Sequence, residues 1–245
     1  FSSGGLDPRS HAVGDFDGDG TTDVVIANYG EGSDRYVLDL FLSGESGITS
    51  SIELGVQEHP IFVDATDIDG DGDLDITSAN YGNGSVSVLL NNGDGTFADQ
   101  TRYGVLGRFP FSVEYGDLNG DDILDQVVAS RQESSLNIRY GNGDGTFAES
   151  TLFAYDLHPQ AFIIDDFNGD LKNDMLFTRS PENSISGYFS TPPSIDLTAV
   201  AFDENIASDS FVASLNMIGV NAEDLFTYAF VEGEGSVDNN AFSIS

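Results

Sequence analysis

The chain has no cysteine, which excludes disulfide bonds and thiolate metal sites, although that absence alone does not fix a compartment. Positive charge is nearly as scarce. Lysine and arginine together number 8, with Lys172 the single lysine, against 42 aspartates and glutamates, and the formal charge is −34. Nucleic acid is therefore excluded as a partner, because phosphate recognition needs clustered basic side chains. Anionic lipid surfaces are disfavoured for the same reason. No apolar run approaches the ~20 residues that cross a bilayer, so no direct membrane insertion is expected of this segment. There is no initiator methionine and no signal-peptide pattern at Phe1, and the chain reads as an excerpt. Helical periodicity is missing as well.

What is present is enough to build a core: 39% of residues are apolar, including 18 phenylalanines and 9 tyrosines, so charge does not dictate disorder. The acid is also not spread evenly. It gathers in four nonapeptides, "DFDGDGTTD" from Asp15, "DIDGDGDLD" from Asp67, "DLNGDDILD" from Asp117 and "DFNGDLKND" from Asp166, spaced 52, 50 and 49 residues apart. Pro8, Pro60, Pro110 and Pro159 keep the same phase. Each nonapeptide runs into an apolar, β-branched stretch such as Val24-Val25-Ile26, and "GDGTF" turns recur at 93–97 and 143–147.

Each unit thus reads as strand, acidic loop, strand, turn, strand, glycine turn, strand. In the second unit these strands fall at about 61–66, 74–79, 85–91 and 96–103. Four strands per ~50 residues, with aspartate and glycine at the turns, is the pattern of β-propeller blades. A β-solenoid is the alternative, with repeats that are usually shorter. The expected fold is all-β: four blades, each a four-stranded antiparallel sheet, over residues 1–190 (repeats at about 1–52, 53–103, 104–152 and 153–190), forming part of a larger propeller.

Carboxylates this crowded repel one another unless a cation sits among them. Oxygens at positions 1, 3, 5 and 9, with the carbonyl of position 7, can wrap a hard ion that takes six to eight oxygens. The expected ligands are Asp15, Asp17, Asp19, Asp23 and the Thr21 carbonyl in the first loop, and Asp67, Asp69, Asp71, Asp75 and the Asp73 carbonyl in the second. The third offers Asp117, Asn119, Asp121, Asp125 and the Ile123 carbonyl; the fourth, Asp166, Asn168, Asp170, Asp174 and the Lys172 carbonyl. Calcium fits this set. Magnesium demands a stricter octahedron, and zinc prefers histidine or cysteine. Polar turns without an ion are the plainer reading of one such loop, but four in phase, each with oxygen side chains at all four positions, argue against it. An EF-hand needs a glutamate at position 12 and flanking helices; here that position holds Ile26, Ser78, Val128 and Phe177. About four Ca²⁺ ions are expected. Position 6 is Gly20, Gly72, Asp122 and Leu171, and a need for positive φ there would strain Leu171, so the fourth loop is expected to bind most weakly.

The four acidic stretches, the strand residues behind them and the turns "NNGDGTF" and "GNGDGTF" resemble FG-GAP/VCBS repeats over about residues 1–190. That resemblance implies blades of an integrin-α-like propeller, with a calcium-binding loop between the first two strands of each blade. Such propellers commonly have more blades than four, and Phe1–Gly5 corresponds to the tail of a preceding blade's outer strand, so further blades are expected. Pro192 and Pro193 mark a stiff linker at 191–197. Beyond it, "DEN" at 203–205, "FTY" at 226–228 and "DNNAFSIS" at 238–245 resemble the first half of a bacterial cadherin-like domain, a truncated β-sandwich over 198–245. Glu204 matches the acidic ligand of that family, while Gly219 and Asn221 stand where its calcium-binding pair would fall.

No G-x-S-x-G, metal-ligating histidine pair or phosphate-cradling loop is present, and the segment is read as non-enzymatic. His59 and His158 immediately precede in-phase prolines, and His11 is expected at an inward strand position with a packed imidazole. Propeller followed by cadherin-like order points to a calcium-stabilised adhesion or interaction module at the cell surface or secreted, where calcium is abundant. Its partner is an extracellular protein or glycan. Two alternatives stand beside it: a lectin-like propeller using Tyr29, Tyr81 and Tyr103, or an accessory segment of a larger secreted enzyme.

Overall fold

The computed structural model describes residues 5–30, 36–132, 134–154, 159–169, 172–179, 184–189, 215–218 and 225–228. Every regular element among them is a β-strand. The first sheet runs β1 (Pro8–Gly14), β2 (Asp23–Asn28), β3 (Val37–Gly44), β4 (Gly47–Gly55) in chain order, all neighbours antiparallel. The second repeats it with β5 (Pro60–Thr66), β6 (Asp75–Asn80), β7 (Ser85–Leu89) and β8 (Thr101–Gly104). The third follows with β9 (Pro110–Gly116), β10 (Asp125–Ser130), β11 (Ser135–Arg139) and β12 (Thr151–Ala154). These are the expected blades, and an acidic nonapeptide joins the first two strands of each.

The expected last strand of the second blade is shortened at its start. Phe97 makes a single bridge to Asn91, Ala98 N donates to Leu90 O (2.8 Å), and the chain rejoins the sheet only at Thr101. The glycine turn is diverted because it packs on the preceding blade instead.

By internal contacts the chain forms two units, Phe1–Asp117 with Asp121–Pro159, and Leu118–Gly120 with Gln160–Ser245. Within the first, β1 lies against β5 and β5 against β9, so the opening strands of consecutive blades are neighbours. The middle strands β6, β7, β10 and β11 are buried at every residue, whereas β4 is almost wholly exposed. A strand covered on both faces needs apolar or hydrogen-bonded residues throughout, which explains why alternation is lost there. One core cluster joins Val25, Leu38 and Leu40 of the first blade to Val63, Ile76 and Leu89 of the second. The next joins Ala79, Val86 and Val88 to Val113, Val128 and Phe147.

His11 corrects the sequence reading. Its counterparts Val63 and Val113 are 3% and 0% exposed, but His11 is exposed and Val13 beside it is 55% exposed. The edge of that face at His11 and Val13 is exposed, although Asn28 and Asp39 further along it are buried, whereas Val63 on the same face of the second sheet packs into the core shared with the first.

The residue before each opening proline in this unit has positive φ: Asp7 at 58°, His59 at 56° and Phe109 at 56°. A residue before proline ordinarily stays extended. Here the turned-back carbonyls accept the N–H groups of Tyr29 (3.0 Å), Tyr81 (2.9 Å) and Arg131 (3.1 Å). The exchange closes the end of each blade away from its acidic loop. The His59 ring stacks on Tyr29 at 4.5 Å and Phe109 on Tyr81 at 4.7 Å, so these tyrosines link consecutive blades.

In the second unit, β13 (Pro159–Asp165), β14 (Asp174–Arg179) and β15 (Ser184–Tyr188) follow the same order. The sheet then continues with β16 (Leu215–Ile218), parallel to β15, and β17 (Leu225–Tyr228), antiparallel to β16. The "FTY" stretch therefore lies in a strand of this sheet. The linker, the "DEN" and "DNNAFSIS" stretches, His158, Asp170 and Leu171 fall outside the described residues.

Candidate metal centre

One hydrogen-bond pattern curls the first three acidic loops, and aspartates set it. The carboxylate at position 1 accepts the N–H of position 6: Asp15 from Gly20 (2.9 Å), Asp67 from Gly72 (3.0 Å), Asp117 from Asp122 (2.9 Å). That at position 3 accepts from position 5, in Asp17 with Asp19 (3.3 Å) and Asp69 with Asp71 (3.2 Å). That at position 5 accepts from position 7, in Asp19 with Thr21 (2.8 Å), Asp71 with Asp73 (2.9 Å) and Asp121 with Ile123 (3.0 Å). Short acceptor side chains bonding their own backbone are the usual driver of such tight turns. The curl requires left-handed backbone at positions 4 and 6. Gly18, Gly70, Gly120 and Gly169 have φ of 71–83°, and position 6 is positive in Gly20 (85°), Gly72 (97°) and Asp122 (63°). The demand for positive φ at position 6 thus holds in the three loops described there, and aspartate tolerates it in the third.

The curl draws carboxylates together. Asp15, Asp17 and Asp19 bring ligand oxygens within 4.8 Å of one another, and Asp67, Asp69 and Asp71 do the same. Oδ1 of Asp15 is buried and accepts no hydrogen bond, which in a compact loop leaves a charged acceptor unsatisfied. A hard cation answers both features, so the residues present fit calcium. In the third loop Asn119 replaces one carboxylate, and in the fourth Asn168 does; there Asp166 accepts the Gly169 N–H at 2.6 Å.

Position 9 stands apart from that cluster. Asp23, Asp75, Asp125 and Asp174 are at most 1% exposed. Asp23 accepts Phe16 N (2.8 Å) and Ser43 N (2.7 Å); Asp75 accepts Ile68 N (2.8 Å) and Asn91 N (2.9 Å). Asp125 accepts Gly141 N (3.0 Å), and Asp174 accepts Phe167 N (3.1 Å). Asp23 and Asp75 thus clamp their loops to the end of the third strand, a role that spacing alone did not reveal. An ionised carboxylate has about four acceptor sites, so Asp23 and Asp75 keep capacity for an ion as well.

Charge is costly here. Burial pushes the Asp75 carboxyl up to about 6, offset by its two backbone N–H partners and reinforced by Asp69 and Asp71. Asp69 is raised, first by burial and further by its acidic neighbours. Asp17 is raised in the same manner, while hydrogen bonds from Thr21 lower Asp19.

The glycine turn of the second blade packs on the first loop. Gly95 N donates to Phe16 O (3.0 Å), Asn91 Nδ2 donates to the same carbonyl (2.9 Å), and Phe97 meets the Phe16 ring at 6.3 Å. Gly93 has φ of 78° and lies against the Asp73 carboxylate, where a Cβ would stand 2.4 Å from an oxygen.

Residues 8–38 match the FG-GAP repeat family and residues 67–128 an FG-GAP-like repeat. No curated protein matches the chain. Among solved structures the chain is similar to an Agrocybe aegerita lectin that recognises non-reducing terminal N-acetylglucosamine (19% identity, TM-score 0.49, 70% of this chain and 48% of that one). It is also similar to the Photorhabdus luminescens Tc holotoxin pore (18%, 0.42, 71% and 8%) and to the V. cholerae biofilm matrix protein Bap1 (20%, 0.40, 76% and 38%). The chain spans about half the length of the first of these, and less of the others. The blades of this all-β chain thus carry FG-GAP repeats, over residues 8–38 in the first and 67–128 in the second and third.

Proposed function

We propose that the chain is a calcium-binding, non-catalytic interaction module of an extracellular or cell-surface protein, in which Ca²⁺ in the acidic loops stabilises the blades. The observation that carries this reading is the convergence of three carboxylates in each of two loops, one with a buried oxygen left without a hydrogen bond. Residues at positions 1, 3 and 5 would hold the ion, helped by the position 9 carboxylate and the position 7 carbonyl. When bound, calcium supplies charge neutralisation. The protein's own residues preorganise the loop and hold it against the next blade.

No helix among the described residues is long and apolar enough to cross a membrane. An extracellular setting follows from calcium supply: loops of modest affinity fill at millimolar calcium and stay largely empty in a resting cytosol. Four ions would reduce the formal charge only from −34 to −26, so the surface remains strongly acidic. Partners among extracellular proteins or neutral glycans agree with that charge.

Thermal melting in excess calcium and then in chelator is the direct test. An ion bound only by the folded state stabilises it by about 2.7 kcal/mol at a hundred times its dissociation constant. The midpoint is expected to fall on chelation; an unchanged midpoint would overturn the calcium reading.

A further inference from the structure

Asn91 is not one of the expected ligands, yet it touches the machinery of two acidic loops. It opens the glycine turn of the second blade and is 5% exposed. Its backbone N–H donates to Asp75, the clamp of the second loop, at 2.9 Å. Its side-chain amide donates to Phe16 O in the first loop at 2.9 Å and to Leu74 O in the second at 3.1 Å. Its Oδ1 accepts Gly93 N at 3.1 Å, which holds the amide in that orientation. Phe16 lies between Asp15 and Asp17, and Leu74 precedes Asp75. A short hydrogen-bonded path therefore runs from the first acidic loop to the buried position 9 end of the second through a single buried side chain.

We propose that Asn91 is a positioning residue that couples cation binding at the first loop to cation binding at the second. The inference rests on the calcium reading above. An ion in the second loop holds Leu74 and Asp75 in place, which fixes Asn91, which in turn holds Phe16 O and so the spacing of Asp15 and Asp17. Linkage makes the effect reciprocal. The third blade contains its own control. Gly141 occupies the position of Asn91, keeps the bridge to Phe147 and the N–H donated to Asp125, but has no side chain to reach the second loop. Among the described residues, coupling by this route joins only the first pair of loops.

The test is a calcium titration of the whole chain by calorimetry, with the first-loop step identified as the one lost in Asp17→Ala. Its affinity is compared in the unchanged chain, in Asp69→Ala, in Asn91→Gly and in the double variant. Asn91→Gly reproduces the turn that the third blade already carries, which guards against simple misfolding. Loss of two buried hydrogen bonds sets the scale at roughly fivefold to tenfold. Asp69→Ala is expected to weaken the first-loop step by that factor when Asn91 is present and by less than about twofold when glycine replaces it. Asn91→Asp, which keeps the shape but loses the donor, should behave like the glycine variant, whereas a purely structural role would leave the Asp69→Ala effect equal in both backgrounds. Equal effects would overturn the coupling. Absence of calcium uptake by the unchanged chain would instead overturn the calcium reading on which it rests.

Discussion

Two kinds of aspartate share each nonapeptide, and their substitutions should separate. Asp17 and Asp69 belong to the half-buried carboxylate clusters and bond within the loop. Asp17→Ala or Asp69→Ala should lower the melting midpoint in calcium and leave it nearly unchanged in chelator. Asp23 is fully buried and accepts two backbone N–H groups. Asp23→Ala strands those donors, and denaturant unfolding should show a loss of about 1–3 kcal/mol with or without calcium. The acid range provides another check. Asp75 titrates near 6 in the folded chain, above its unfolded value of 3.8, so without metal its charging lowers stability as pH rises through 6. Calcium needs the ionised form, so protons compete with it. The calcium-dependent increment in melting midpoint should therefore grow between pH 5 and 7; an increment independent of pH would exclude Asp75 from the ion's surroundings.

At the scale of elements, the turn after the third strand determines how one blade meets the last. Phe16, at position 2 of the first loop, is fully buried and lies against Phe97 of the next blade's turn. Phe16→Ala should cost about 3–5 kcal/mol, measured by chemical unfolding in calcium and in chelator alike, because the loss is one of packing. Order of strands, loop placement and glycine turns were all legible in the repeat. The late start of β8 at Thr101 was not, because the turn's hydrogen bonds to the first blade draw it off the sheet. Nor was the positive φ of Asp7, His59 and Phe109, since a residue before proline is normally extended and only the N–H groups of Tyr29, Tyr81 and Arg131 account for the reversal.

At the scale of the whole molecule the main electrostatic term opposing the fold is self-repulsion among 42 acidic residues with 8 basic ones. Bound calcium and dissolved salt both reduce it, the first at the clusters and the second everywhere within a Debye length. Raising monovalent salt should therefore elevate the melting midpoint more in chelator than in calcium; equal responses would mean that the clusters add little to the repulsion. The exposed position of His11 belongs to this scale too. The repeat placed it in phase with Val63 and Val113, but burial there requires a neighbour packed over the strand, and His11 and Val13 are exposed.

Residue spacing alone determined the blade repeat, the acidic loops and the carboxylates at positions 1, 3 and 5, because these are local: a nonapeptide curls through bonds to its own backbone. Tertiary structure decided what the position 9 aspartates clamp, where Asn91 reaches and which faces are covered. Each of those depends on atoms brought together from distant points of the chain, and Asn91 and Phe16 stand 75 residues apart. A repeat shows which residues are equivalent; only the packed blades show which equivalents have a neighbour.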